Sequence, residues 1–320
     1  MKTAIIGTWH VHTEEYTRAL QENPKAEPVI VWDSDCARGK AFADKMGLPF
    51  TSDLDAVLAD ETIDSVMVCS ATCDHPELLL KAANAGKHIF TEKVLTIGVE
   101  DAEKVAEAVK ASGKVFTISF PHRTFPTLRA AKALLDSGKL GRVTYARVRN
   151  VHNGSSANWL PPHFYDKAQC GGAMMDLGAH PMYTLNWLLG APKTITSTFT
   201  NVTDRGVEDN AVSLIEFENG AIGVSETGFV SEANPYTLEI SGTDGAVMIH
   251  GDSARWGGKA TGGKWEDLPL PEAIALPIHQ WIDAVVEGTP APSTIEEAVM
   301  LTRLMDGAYK AAESGVKFVF

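Results

Sequence analysis

The sequence lacks a long apolar run. Within its 320 residues, no apolar run reaches the roughly 18 residues that a membrane span needs. Residues 1–12 lack the apolar core of a signal peptide. Positive charge is also scarce, with 28 Lys and Arg against 41 Asp and Glu, a net charge of −13 and no basic run. Such a surface repels phosphate backbones and anionic lipids, so we expect neither a nucleic-acid partner nor a membrane partner.

Cysteine is rare as well. The four cysteines, Cys36, Cys69, Cys73 and Cys170, lack the spacing of a disulfide framework, which indicates reduced thiols in a cytoplasmic protein. Zinc binding by Cys69, Cys73 and His75 would place three ligands on one short loop, which makes a poor tetrahedron. The sequence therefore predicts no metal site.

Residues 1–118 alternate short apolar strands with helices of about ten residues. Strands are predicted at 2–7, 28–33, 65–69, 88–91 and 114–118, and helices at 13–21, 36–46, 77–85 and 100–111. This alternation is typical of βαβ units and of a doubly wound parallel sheet. The length of the chain favours two domains.

The pattern changes near Phe120. A helix at 125–136 and a strand at 142–151 lead into a long polar and aromatic loop. Later strands follow one another at 194–202, 210–217, 221–229, 236–242 and 245–250, which indicates a large, open, mainly antiparallel sheet. Helices at 276–287 and 294–314 end the sequence. We predict a dinucleotide-binding domain at 1–120 and an α+β domain for substrate binding and oligomerisation at 121–320.

The stretch from Gly171 to Tyr183 opens with two glycines and continues into an apolar run. Asp176 and His180 are four residues apart, which would place both side chains on one face of a buried helix. An imidazole can take a proton from a hydroxyl, and a nearby carboxylate can fix its orientation. The alternative is a surface pair without a chemical role.

The turn after the first strand, Gly7 to His12, stands where a dinucleotide-binding fingerprint G-x-G-x-x-G would be. Only Gly7 matches, because Trp9 and His12 occupy the other glycine positions. Asp33 ends the second strand, where a carboxylate can accept hydrogen bonds from ribose hydroxyls. The alternative for Asp33 is a helix-capping cluster with Asp35.

Glu92 and Lys93 follow the strand at 88–91. The carboxyl ends of parallel strands border the ligand crevice of such a sheet, so Lys93 should point toward it. A cation there would stabilise a developing alkoxide. The alternative is a solvated loop pair.

Five motifs in order resemble the Gfo/Idh/MocA family of NAD(P)-dependent oxidoreductases, nearly from end to end. Ser70 to His75 resembles T-P-N-x-x-H, Ala85 to His88 matches A-G-K-H, and Glu92 to Val94 resembles E-K-P. Gly138 to Val143 resembles G-x-[IL]-G-x-[PV], and Gly171 to His180 resembles G-G-x-x-x-D-x-G-x-H.

The resemblance implies a catalytic set of Lys93, Asp176 and His180. His180 would take the proton of a substrate hydroxyl, Lys93 would polarise its oxygen, and Asp176 would orient the substrate or His180. The carbinol hydrogen would leave as hydride to the cofactor. The implied cofactor contacts are Gly7, Thr8, Trp9, His10, Val11, Asp33, Ser34, Ser70, Ala71, Thr72, His75, Glu92 and Lys93.

Several positions depart from the family pattern. Besides Trp9 and His12, Val94 replaces the frequent proline after E-K, and the family's N-x-R after the sixth strand reads Pro121-His122-Arg123. Tyr183 stands where an acidic residue often follows the histidine by three positions.

The loop from Asn150 to Cys170 leads directly into the catalytic stretch and is predicted to form a wall of the substrate site. Its aromatic faces and polar groups suit a sugar or cyclitol, although Trp159 and Phe164 could instead serve only packing. The predicted substrate contacts are His122, Arg123, His152, Asn153, Trp159, His163, Tyr165 and Tyr183.

The sequence thus predicts an NAD(P)-dependent dehydrogenase, or the reverse reductase, acting on a carbinol of a sugar, sugar derivative or cyclitol. Asp33 favours NAD over NADP, although Ser34 could accommodate a 2′-phosphate. Two alternatives stay open: a lyase-like or glycoside-processing relative that oxidises its substrate transiently, and a non-catalytic NAD(P)-binding sensor. Apolar residues in the strand at 221–229 predict a homodimer or homotetramer.

Overall fold

Residues 1–120 alternate strands and helices in the structure, a computed structural model that describes residues 1–233 and 236–320. The elements are β1 (Lys2–Ile6), α1 (Thr13–Glu22), β2 (Glu27–Trp32), α2 (Cys36–Met46), β3 (Phe50–Thr51), α3 (Leu54–Ala59), β4 (Ser65–Val68), α4 (His75–Asn84), β5 (His88–Thr91), α5 (Val99–Ser112) and β6 (Phe116–Ile118). The short helix α3, which Asp53 caps at its N-terminus, is not among the predicted elements.

The six strands form a parallel sheet in the order β3-β2-β1-β4-β5-β6. Strand β4 is buried along its whole length, as expected for a parallel sheet with both faces covered. The strand order reverses between β1 and β4, and the carboxyl ends of strands at such a switch point border a ligand crevice. The predicted doubly wound sheet is confirmed.

The remaining elements are α6 (Pro126–Asp136), β7 (Val143–Val151), α7 (Ala173–Asp176), α8 (Ala179–Leu189), β8 (Pro192–Thr200), β9 (Asn210–Phe217), β10 (Ile222–Gly228), β11 (Thr237–Gly242), β12 (Gly245–His250), β13 (Ser253–Gly258), β14 (Trp265–Asp267), α9 (Pro277–Glu287), α10 (Ile295–Ser314) and β15 (Phe318–Val319). The predictions omit β13, β14 and β15, whose glycines, exposed polar residues and short lengths hide the alternation of a strand.

Within the described residues, strands β7 to β15 form one nine-stranded sheet in the order β14-β13-β12-β11-β7-β10-β9-β8-β15. Neighbouring strands of this sheet are antiparallel except for β7 and β10, which pair in parallel with Tyr145 opposite Ile222. Helix α8 packs on one face, against β7 and β10. The predicted large, mainly antiparallel sheet is therefore confirmed.

The chain divides into two compact units. The first comprises Met1–Phe120 and Ala275–Thr302, and the second comprises Pro121–Ile274 and Arg303–Phe320. The sequence assigns all of residues 121–320 to the second domain, whereas α9 packs with the first unit. The reason is apolar burial: Ile278, Trp281 and Ile282 are fully buried in one cluster with Phe90 of β5.

Among residues 1–233 and 236–320, no helix combines the length and the apolar character that crossing a membrane requires.

Candidate active site

The loop after β1 is held tightly against the neighbouring strand ends. Gly7 adopts a φ of +79°, and a Cβ there would lie 2.7 Å from Ser70, so a side chain is excluded. The N–H of Gly7 donates to the carbonyl of Trp32, and those of Trp9 and His10 both donate to the carbonyl of Cys69. The loop is thus rigid although two of the three fingerprint glycines are replaced.

Asp33, directly after β2, is 1% exposed, and both of its carboxylate oxygens accept hydrogen bonds. Oδ2 accepts from the N–H of Thr8 at 2.7 Å and from its hydroxyl at 2.6 Å, while Arg38 donates to both oxygens, at 3.0 and 2.6 Å. Asp35 caps α2 by accepting from the N–H groups of Ala37 and Arg38, and its own N–H donates to Oδ1 of Asp33 at 2.8 Å, so Asp33 also belongs to the capping cluster of the alternative prediction. Asp33 therefore holds the loop and an arginine together at the β2 end of the crevice, beside the exposed Ser34.

Ser70, Ala71 and Thr72, after β4, are buried within the same edge of the first unit. His75 is also fully buried, and its Nδ1 lies 2.9 Å from the carbonyl oxygen of Val94 and 3.2 Å from that of Leu95. Burial lowers the pKa of His75, which favours the neutral imidazole. A ring with no exposed surface offers nothing to a cofactor, so His75 positions the backbone after Lys93 instead of making the predicted contact.

Glu92 follows β5 and is 1% exposed. Its carboxylate accepts from the hydroxyl of Tyr16 and from the N–H of Lys93 at 3.0 Å, and lies 3.1 Å from Nδ1 of His12. Burial opposes ionisation, but the charge of His10 and the hydrogen bond from His12 outweigh it and hold the pKa of Glu92 well below its usual range. Lys93 is 5% exposed, and its peptide bond to Val94 is cis. The alternative of a solvated Glu92–Lys93 pair is wrong.

In the second unit, His180 lies near the start of α8 and is 5% exposed. Its ring stacks on that of His122 with 4.1 Å between centroids and 17° between planes. Nδ1 of His180 lies 3.0 Å from the hydroxyl of Tyr183, which also accepts the N–H of His122 at 3.1 Å. Tyr183 is 1% exposed, so it holds His180 and does not form an open pocket wall.

Asp176 and His180 do not share one regular helix, which corrects the prediction. Asp176 ends α7 and His180 belongs to α8, because the N–H of Gly178 donates to the carbonyl of Ala173, five residues back. Such a bond adds a residue to the turn and changes the angular phase of the next helical residues. A Cβ on Gly178 would lie 2.5 Å from the carbonyl oxygen of Met174, so the local path requires glycine.

His152, at the end of β7, is near Asp176 and lies between two aromatic rings. Its ring stacks on Phe229 at 4.9 Å and lies 4.8 Å from Trp159. Burial lowers the pKa of His152, and the negative charge of Asp176 acts in the opposite direction. Its Nδ1 accepts the N–H of Gly154 at 3.0 Å. The structure thus associates Asp176 with His152, a partner that sequence spacing did not suggest.

The loop after β7 contains both buried and exposed aromatic rings. Phe164 is 2% exposed and packs with Leu160, Ala173 and Phe229, whereas Trp159 is 55% exposed and donates to Asn153 at 2.8 Å. Packing within the second unit explains Phe164, whereas the exposed Trp159 keeps both of its predicted roles, substrate contact and interdomain or subunit packing.

The remaining predicted substrate residues are held in ring contacts. The ring of His163 lies 4.8 Å from that of Phe164, and the guanidinium of Arg205 lies 4.6 Å from the ring centroid of Tyr165. Arg123 lies over the rings of Tyr183 and Trp187, at 5.8 and 5.5 Å. Arg123 therefore packs around the tyrosine that holds His180.

Three further residues could not be found from the sequence pattern. Tyr16 binds Glu92 and also lies 2.9 Å from the hydroxyl of Ser119, Tyr236 packs edge-on against His122 at 5.1 Å, and Glu208 accepts the N–H of Met174 at 3.1 Å. A Cβ on Gly172, whose φ is +128°, would lie 2.2 Å from the carboxylate of Glu208. Gly172 therefore leaves room for a partly buried acid, and no local pattern reveals it.

The first unit has the features that a dinucleotide cofactor requires. A tight glycine follows β1, a helix N-terminus follows the loop, and a carboxylate ends β2, all at the switch point of the sheet. Gly7 to Val11 would follow the cofactor's phosphates, the ion pair of Asp33 and Arg38 would lie at its ribose end, and Glu92 and Lys93 would border its reactive end.

Comparisons with known proteins agree with this fold. Residues 1–120 match the family model described as an oxidoreductase family with an NAD-binding Rossmann fold, and residues 128–248 match the GFO/IDH/MocA C-terminal domain. The chain therefore belongs to the GFO/IDH/MocA family of NAD(P)-dependent oxidoreductases.

Similar proteins include named sugar and cyclitol enzymes. The chain is 29% identical over 260 residues to scyllo-inositol 2-dehydrogenase (NAD(+)) of Bacillus subtilis, covering 78% of this chain and 73% of that one. It is 26% identical over 326 residues to D-xylose 1-dehydrogenase (NADP(+)) 2 of Haloferax volcanii, covering 98% of each. The crystal structure of GenD2 from gentamicin A biosynthesis, in complex with NAD, is 27% identical with a TM-score of 0.85, covering 100% of this chain and 96% of that chain.

Proposed function

We propose that this protein transfers a hydride between a secondary carbinol of a sugar, sugar derivative or cyclitol and NAD(P). The observation that carries the proposal is the buried His180, whose Nδ1 is held by Tyr183 while His122 covers one ring face. An imidazole fixed at one nitrogen presents the other in a defined direction, as a general base requires. The named activities of the inositol and xylose dehydrogenases support the same class of substrate.

In this mechanism His180 takes the proton of the substrate hydroxyl through Nε2. Lys93, which is buried directly after β5, stabilises the negative charge that develops on the carbinol oxygen. Asp176 orients the substrate or His152. A bound NAD(P) would supply the hydride acceptor for the carbinol hydrogen.

The exposed indole of Trp159 supports a ring-shaped substrate, because sugars and cyclitols have apolar faces and polar edges. Asn153 and His152 lie beside this indole. We propose that these residues, with His163 and Tyr165, form the substrate wall, which gives residues 121–274 the substrate-binding role.

Kinetic screening with both cofactors tests the proposal. We expect stoichiometric NADH or NADPH formation with at least one member of a panel of sugars and cyclitols, and its loss in His180→Ala. A His250→Ala variant, altered at an exposed residue of β12, serves as the matched control.

A second candidate function is transient oxidation, in which the cofactor is regenerated within each turnover. A 26% identical relative from Mediterraneibacter gnavus is named 2,7-anhydro-N-acetylneuraminate hydratase, which motivates this alternative. Product formation without net NADH would support it. A protein that binds NAD but converts no substrate under either assay would instead be the non-catalytic sensor.

We also propose a homodimer or homotetramer built on the open face of the nine-stranded sheet. Val212, Leu214, Ile222 and Met248 are 44–51% exposed on strands β9, β10 and β12. Apolar patches of this kind are commonly covered by a second subunit. Light scattering that shows only a 34.4 kDa species at micromolar concentration would contradict this assembly.

A further inference from the structure

The altered turn after β1 brings three metal-ligand side chains together in the first unit. Oε1 of Glu92 lies 3.1 Å from Nδ1 of His12 and 3.8 Å from Nδ1 of His10. One ligand atom from each residue lies within 4.8 Å of the others. Imidazole nitrogen and carboxylate oxygen are ligands that Zn²⁺ and related first-row ions prefer.

The spacing is close to that of a coordination sphere. Bonds of 2.0–2.2 Å in a tetrahedral centre place ligand atoms about 3.3–3.6 Å apart. The two distances to Glu92, 3.1 and 3.8 Å, lie on either side of this range, and an inward movement of about 1 Å would complete the set. The side chain of His12 is 36% exposed and can make this movement, while Glu92 is fixed at 1% exposure.

Surrounding groups already orient the carboxylate of Glu92, which accepts hydrogen bonds from Tyr16 and from the N–H of Lys93. Hydrogen bonds of this kind commonly fix the ligands of metal centres. The N–H of His12 donates to Nδ1 of His10 at 3.3 Å, a long hydrogen bond that an ion at Nδ1 would replace. The acid is therefore organised before any ion binds, and the histidines adjust to the ion.

Charge supplies a second reason. A carboxylate buried as deeply as Glu92 needs compensating positive charge. Lys93 supplies part of it, and a bound cation or a protonated imidazole can add to it. The glycine fingerprint calls for neither histidine, and His12 stands at a position where it has glycine. A ligand role explains why two histidines two residues apart both approach one acid.

From these observations we infer that His10, His12 and Glu92 bind one Zn²⁺-class divalent ion. Three protein ligands leave a fourth position for water or another oxygen ligand. This revises the sequence prediction that the protein has no metal site. The inference does not depend on the proposed dehydrogenase activity.

The test uses the full chain without a histidine tag, freed of metal by chelator dialysis, with no substrate and no NAD. Zn²⁺ is titrated by calorimetry, and Co²⁺ by its visible absorption. We expect saturable uptake of one ion per chain, and a loss of affinity of at least about 10-fold in His12→Ala and in Glu92→Gln. His250→Ala is the matched control and should bind as the parent does.

Thermal melting of each variant confirms that it is folded, and the partly exposed His12 is the substitution least expected to disturb the core. X-ray absorption at the zinc edge of the parent protein gives a reading that needs no variant, since two imidazoles should appear in the first coordination shell. No uptake of either ion, unchanged uptake in both ligand variants, or a zinc shell without imidazole would overturn the inference and leave a protonated histidine as the partner of Glu92.

Discussion

The hydroxyl of Tyr183 lies 3.0 Å from Nδ1 of His180 and accepts the backbone N–H of His122 from its other side. A phenol oxygen has two lone pairs, so it can accept hydrogen bonds from both groups at once. The base role of His180 requires its proton on Nδ1, which leaves Nε2 as the acceptor. Tyr183 thus holds the imidazole where the family pattern often has an acidic residue, but without adding a negative charge.

Substitution of Tyr183 by Phe should lower kcat by about 3- to 10-fold, because one buried hydrogen bond contributes roughly 0.5–1.5 kcal/mol. KM for the substrate should change little if Tyr183 only positions His180. Steady-state kinetics across pH measures kcat and KM. Tyr145→Phe, which alters a tyrosine of strand β7 in the same unit, is the control. A raised KM with unchanged kcat would instead assign Tyr183 to substrate binding.

Replacement of His180 by Ala should lower kcat by about 10²- to 10⁴-fold, the usual contribution of a positioned base. The affinity for NAD should stay close to that of the parent protein, since His180 is proposed to face the substrate. In the parent, kcat/KM for oxidation should rise with pH across the range in which histidine titrates, about pH 5–8. Retention of both this rise and the parent kcat in the variant would refute the assignment, and Tyr165 and His163 would be the next residues to test.

Substitutions of Lys93 should also lower the activity. Lys93→Ala should lower kcat because the alkoxide loses its cation, and it should weaken NAD binding by a small factor. Lys93→Arg should restore activity only in part, since a planar guanidinium does not fit a site that holds the ammonium at 5% exposure. Stopped-flow measurement of hydride transfer at saturating NAD separates the slower chemical step from the weaker NAD binding. Full activity in Lys93→Arg would show that charge alone suffices.

The parallel sheet could be predicted because its strands and helices alternate locally, and because the A-G-K-H and E-K motifs lie at its strand ends. The packing of α9 in the first unit could not be predicted, because the apolar face of an amphipathic helix does not indicate which sheet it covers. Trp281 shows this, as it packs at 5.5 Å from Phe90, far away in sequence.

The proposed catalytic residues belong to short motifs, whereas their partners come from distant positions. Tyr16 binds Glu92, 76 residues later, and Tyr236 packs on His122. Sequence spacing also failed for Asp176 and His180, because one five-residue hydrogen bond shifted the helix phase. Local patterns therefore identify the chemistry, and long-range packing decides which groups meet.

Glu208 should make the folded state less stable as the pH rises above the pKa of an unfolded glutamate. Burial raises the pKa of its carboxyl, although Tyr309 donates to it at 2.6 Å. Because the folded pKa lies above the unfolded one, the stabilising contribution is complete below the unfolded pKa, about 4.3, and is lost as pH rises through the folded pKa. Glu208→Gln can still accept both hydrogen bonds, so its melting temperature relative to the parent should rise between pH 5 and pH 8. A difference that is independent of pH would contradict the raised pKa.

Cofactor choice should depend on the pair formed by Asp33 and Arg38. The negative charge of Asp33 at the end of β2 disfavours a 2′-phosphate, so kcat/KM should be higher with NAD than with NADP. Arg38 donates to both oxygens of Asp33, which moderates this charge and supplies a guanidinium that a phosphate could bind.

Asp33→Asn should therefore shift the NADP-to-NAD ratio of kcat/KM toward NADP by about 10-fold, equivalent to 1.4 kcal/mol. Arg38→Ala should shift the ratio toward NAD, and Arg255→Ala, at an exposed position of β13 in the second unit, should leave it unchanged. The two relatives named for NAD(+) and NADP(+) show that neither cofactor follows from similarity alone. A clear NADP preference in the parent protein would show that Arg38, and not Asp33, governs the ribose end of the site.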